Sequence, residues 1–128
     1  MRYALLIYVE PWETTPEQDT QVMEAYNQFG RDAMAADVMR GGEALHEAKT
    51  ATSVRVRDGK VLVTDGPFAE TKEEFGGFYL VEAPNLDEAI KWAAKIPGAA
   101  RGTVEVRPVV DFDAAVEAGE APAGIAAG

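Results

Sequence analysis

The chain has 128 residues, with 12 Lys and Arg against 22 Asp and Glu and a formal charge of −10. That surplus of acid argues against binding nucleic acid or an anionic membrane surface, because both depend on Lys and Arg displacing counterions. There is no cysteine, which excludes disulfides and thiolate chemistry, and no apolar run approaches the roughly 18 residues of a membrane-spanning helix. A single soluble cytoplasmic domain, stabilised by packing or by association with another chain, is expected.

The N-terminal run Tyr3–Tyr8 is apolar on both alternating faces, Tyr3, Leu5 and Ile7 against Ala4, Leu6 and Tyr8. It continues into Glu10-Pro11-Trp12 without the small-residue cleavage site of a signal peptide, so it reads as a first strand covered on both sides. Thr15-Pro16-Glu17-Gln18 then carries the signs of a helix start: a Thr cap, Pro in the first turn and Gln at the capping-box position. Val22, Tyr26, Phe29, Ala33 and Ala36 follow at 4-3-4-3 spacing as one apolar stripe.

After a short strand near Val38 to Leu45, Thr52–Arg57 and Lys60–Thr64 flank Asp58-Gly59, the pair that a type I′ hairpin turn favours. Gly77–Val81 reads as a further strand. Asn85-Leu86-Asp87-Glu88 opens a second helix with Asn as cap, for which Leu86, Ala89, Ile90 and Ala93 are the expected inner stripe and Pro97-Gly98 the stop. Thr103–Arg107 alternates as a last strand. The order is that of an α+β, ferredoxin-like βαββαβ domain with an inserted β-hairpin.

Two helices can cover only one face of such a sheet. Apolar side chains on the other face predict a homodimer in which a second copy covers them. The domain is expected over residues 1–112. Residues 113–128, rich in Ala, Gly and acid, read as a flexible tail with too little apolar surface to offset ordering entropy.

Several residues could carry chemistry. The sole histidine, His46, has no second ligand at metal spacing, so no metal and no cofactor are expected. Glu10, Trp12 and Glu13 lie where the first strand leaves the sheet, in a solvated loop or at a pocket edge. Trp92, off the second helix's stripe, is either a partner contact or flank packing. Glu105 and Arg107 share one face of the last strand, where Arg107 would meet an anionic ligand or a carboxylate.

Asp65-Gly66-Pro67-Phe68 should form a rigid turn, because Asp accepts bonds from backbone N–H groups, Gly permits positive φ and Pro fixes the next φ. Such a turn would set Asp65, Glu70, Lys72 and Glu73 around a pocket mouth, with Gly66, Pro67, Phe68 and Arg107 completing a ligand site. In the competing reading the turn is scaffold, with Asp65 capping it and Phe68 plugging the core.

The run Val61–Glu73, with Asp65-Gly66-Pro67-Phe68 at its centre, resembles the signature of YCII-related proteins of the DGPF subgroup. Tyr3–Tyr8, Gly42–Leu45, Gly76–Leu80 and Glu105–Pro108 extend the resemblance over nearly everything except the tail. It implies a dimeric ferredoxin-like α/β barrel, and it brings no settled activity with it. A His and Asp pair is suggested as catalytic in shorter members, with the His on the first helix. Here that region reads Tyr26-Asn27-Gln28-Phe29, so the dyad does not carry over.

The main expectation is therefore a dimer that binds a small ligand or regulates, its pocket lying between the sheet and the Asp65–Phe68 turn. One alternative is an enzyme using Asp65 and neighbouring carboxylates for proton transfer. Another is an interaction module linked to transcription, since genes of this subgroup often neighbour extracytoplasmic-function sigma factors.

Overall fold

In the computed structural model, which describes residues 1–117 and 119, four strands form one antiparallel sheet: β1 (Arg2–Val9), β2 (Met39–Ala44), β5 (Glu74–Glu82) and β6 (Thr103–Pro108). Their order across the sheet is β2-β5-β1-β6. Helices α1 (Pro16–Ala35) and α2 (Leu86–Ala94) follow β1 and β5 in the chain, which is the arrangement of a ferredoxin-like fold. Between β2 and β5 the chain forms a separate two-stranded sheet of β3 (Thr52–Arg57) and β4 (Lys60–Asp65). Among the described residues no helix is long and apolar enough to cross a membrane.

Local chemistry accounts for the element boundaries. The Thr15 hydroxyl accepts from the Gln18 backbone N–H while the Gln18 side chain accepts from the Thr15 N–H, a closed capping box at the start of α1. Asn85 Oδ1 accepts from the Glu88 N–H and starts α2 in the same way. At the hairpin tip Asp58 and Gly59 have φ of +52° and +73°, the positive pair of a type I′ turn.

The core lies between the helices and one sheet face. Tyr3, Leu5 and Ile7 of β1 are buried beside Val81 of β5 and meet Phe29 and Ala33 of α1 and Ala89 and Ala93 of α2. The α1 stripe divides along its length: Phe29 and Ala33 enter this core, whereas Ala36 is the exposed C-cap.

The inner face expected for α2 needs correction. Leu86 and Ile90 are each 48% exposed, and the helix instead buries Ala89 and Ala93 with Trp92 and Ile96 beside them. Trp92 meets Phe29 edge-on at 6.2 Å, and Phe29 lies 4.7 Å from Tyr79, a run of three rings through the core. Packing the indole edge-on against Phe29, with Ile96 enclosed just beyond the helix, turns this face to the core and leaves Leu86 and Ile90 on the flank.

On the opposite sheet face Ala4, Leu6 and Tyr8 line up with Phe78 and Leu80, all half-buried within the single chain. Past β6, Asp111 accepts from the Ala114 N–H and starts a short helix α3 (Phe112–Glu117), which runs from the end of the expected domain into the stretch read from sequence as tail. The rest of that stretch, apart from Gly119, lies outside the described residues.

Candidate functional site

A cavity of about 740 Å³ opens between the N-terminal half of α1 and the sheet. It exists because several sheet positions beneath that half of the helix carry no side chain or only a methyl group. Register places Gly42 opposite Tyr79 and Ala44 opposite Gly77, and all four positions line the space together with Gly76. The two strands approach so closely that a Cβ on Gly42 would stand 2.6 Å from the Phe78 carbonyl, and one on Gly77 2.8 Å from that of Glu43. Larger residues are excluded there by the backbone, so the hollow belongs to the sheet itself.

The wall opposite comes from α1. Asp19, Val22, Met23 and Tyr26 fall at helical spacing on one face, above Ile7 and Val9 of β1. The walls are mostly apolar, with a few polar groups at defined places, the composition usual for a small-molecule site. The Thr14 hydroxyl donates to Asp19 Oδ1 and anchors that carboxylate at the rim. Trp12 closes one side, and the Arg101 guanidinium stacks 3.5 Å from the centre of its ring. Of the three loop residues considered from sequence, Trp12 is thus a cavity wall.

Two phenols reach this space. Burial pushes the Tyr26 hydroxyl above its ordinary value, against a backbone hydrogen bond at Gly98 and the charge of Arg101. Burial likewise raises Tyr79, with Tyr26 adding to it. Both remain protonated at neutral pH, which suits them to act as neutral hydrogen-bonding groups and not as bases.

None of Asp65, Gly66, Pro67, Phe68, Glu70, Lys72, Glu73 and Arg107 lines this cavity. Gly66 has φ +100° and is held by backbone: its N–H donates to the Ala51 carbonyl at 2.7 Å, and its carbonyl accepts from the Ser53 hydroxyl at 2.8 Å. Phe68 is 82% exposed, so it does not plug the core. Glu73 accepts from Thr103 at 3.1 Å with both carboxylate oxygens, tying the segment to β6, while Glu70 and Lys72 are exposed. Arg107 lies 3.7 Å from Glu105 and is largely in solvent. His46 is exposed beyond β2, and among the described residues no three His, Cys, Asp or Glu side chains are grouped to hold a metal ion.

A second hollow of about 750 Å³ lies between the strand ends and α3. There the Met1 ammonium donates to Glu82 at 2.7 Å and holds its carboxyl below the usual range. This hollow lacks the aromatic walls of the first.

Sequence pattern alone did not indicate the cavity, although traces of it are present. Asp19 interrupts the apolar face of α1 one turn before Val22 and Met23, and Gly41-Gly42 and Gly76-Gly77 interrupt two strands.

Comparison with known proteins places the chain in context. The YCII-related domain matches residues 1–113. Uncharacterized protein R00369 of Rhizobium meliloti (strain 1021) is 36% identical over 114 residues, covering 85% of this chain and 92% of that protein.

Proposed function

The chain belongs to the YCII-related family, and from that premise we propose that it is a cytoplasmic homodimer that binds a small organic ligand. The cavity between α1 and the sheet carries this reading, since a space of about 740 Å³ walled by Trp12, Val22, Met23, Tyr26 and Tyr79 is the right size for one small molecule. Asp65–Phe68, the signature of the DGPF subgroup, then serves the hairpin and not this cavity.

The dimer rests on the second sheet face. Leu6, Tyr8, Phe78 and Leu80 form an apolar layer that the helices leave uncovered, and a second sheet packed on it would complete an α/β barrel with the β3–β4 hairpin as an insertion. A protein-interaction role is the second reading, favoured by one observation. Val54, Val56, Val61 and Val63 share one face of the hairpin and are 58–66% exposed, a patch that a macromolecular partner could cover.

Fluorescence of the uncharged dye N-phenyl-1-naphthylamine separates the two readings. A Cβ at Gly76 meets only Val9 and the Ile7 carbonyl, at 3.7 and 4.0 Å, so Gly76→Leu can fill the cavity without a backbone clash. Dye emission that rises with the wild type and is lost in Gly76→Leu supports a ligand cavity. Emission unchanged in Gly76→Leu and lost in Val56→Ser/Val61→Ser would assign the apolar surface to the hairpin.

A further inference from the structure

We propose that the cavity takes a hydrophobic amine, its apolar body lying between Val22, Met23 and Tyr79 and its ammonium at the Asp19 carboxylate. This rests on the reading of the cavity as a ligand site and adds the ligand's charge. The cavity-facing side of α1 carries one charged side chain, and it is an acid. Thr14 occupies one oxygen of Asp19, Oδ1, which fixes the carboxylate in place and leaves the second oxygen able to accept from an incoming N–H donor.

The remaining charges agree with a cation. Glu43 also borders the space, and register puts its side chain on the far face of β2, level with Phe78, so it adds negative potential without contact. Arg101, which acts on the wall residues Trp12 and Tyr26, is held against the Trp12 ring and is not itself part of the cavity wall. Tyr26 and Tyr79 add neutral hydroxyls. With a net charge of −10, the whole chain attracts organic cations toward this mouth and repels anions.

The test is calorimetric titration of the intact protein with three probes of matched body: 4-phenylbutylamine, 4-phenylbutanol and 4-phenylbutanoate. The amine should bind about fivefold tighter than the alcohol, as expected for one partly solvated ion pair, and the butanoate should bind most weakly. Asp19→Asn should bring the amine down to the affinity of the alcohol, and Gly76→Leu should abolish binding of all three. An amine preference that survives Asp19→Asn, or equal binding of amine and alcohol to the wild type, would overturn the assignment while leaving the cavity a ligand site. A preference for the butanoate that is lost in Arg101→Gln would overturn it in favour of an anion. Absence of binding by every probe would remove the cavity reading as well.

Discussion

The hydroxyl of Tyr26 packs against the bare Cα of Gly98: a Cβ at that position would stand 2.9 Å from the Tyr26 oxygen and 2.9 Å from Ile7 Cγ2. The helix α1, strand β1 and the 3₁₀ turn Pro97–Ala100 therefore meet at a residue with no room to grow. Gly98→Ala should destabilise the fold by about 1–3 kcal/mol, the usual cost of overpacking a close contact, read as a lower urea midpoint at unchanged m-value. An unchanged midpoint would mean that Tyr26 swings away freely.

The same tyrosine should shape the alkaline limit of stability. Burial raises Tyr26 and Tyr79 in the folded chain, so the folded state holds these protons more tightly than the unfolded one. Their contribution is complete below the ordinary tyrosine value of about 10 and is lost as pH rises through the higher folded values. Thermal melts from pH 8 to 11.5 should fall most steeply above pH 10. Phenolate absorbance should show late-titrating tyrosines among the four in the chain, and Tyr26→Phe should reduce their number.

Asp65 presents a separate question. It pairs with Thr52 at the open end of the hairpin, and the neighbouring turn is held by the Gly66 backbone, Ala51 and Ser53. Among the described residues no hydrogen bond to the Asp65 carboxylate is present, so Asp65→Asn should change stability by no more than about 0.5 kcal/mol. If ligand binding or turnover falls in that variant while its melting curve matches the wild type, the Asp65–Glu73 segment belongs to a site. An intact ligand response would make it scaffold.

Leu6 sits at the centre of the sheet face that the helices leave open, opposite Phe78 on β5 and Glu105 on β6. Light scattering at micromolar concentration should give twice the chain mass. Leu6→Glu should halve it, because burying an unpaired carboxylate in that interface costs several kcal/mol. A wild-type monomer would refute the dimer directly.

How far these features could be read from sequence depends on the range of the interaction that fixes each one. The Asp58-Gly59 turn and the caps at Thr15 and Asn85 are determined within a few residues, by the positive φ that Asp and Gly tolerate and by side chains that reach the next backbone N–H groups. The alternation in β1 and β6 and the strand–helix order follow from periodicity in the same way.

The face of α2 was not decided locally. Leu86-Ala89-Ile90-Ala93 and Ala89-Trp92-Ala93-Ile96 are both valid helical stripes that share two residues, and only the Phe29 ring waiting on α1 selects the second. The cavity is further still from local determination. It arises because Gly42 and Ala44 on one strand fall beside Tyr79 and Gly77 on another, some thirty-five positions along the chain, beneath a helix face on which Asp19 alone hints at an empty floor. Composition told which residues were small; only the strand register, set by burial of β1 and β5 against the helices, brought those small residues under Asp19 and Tyr26.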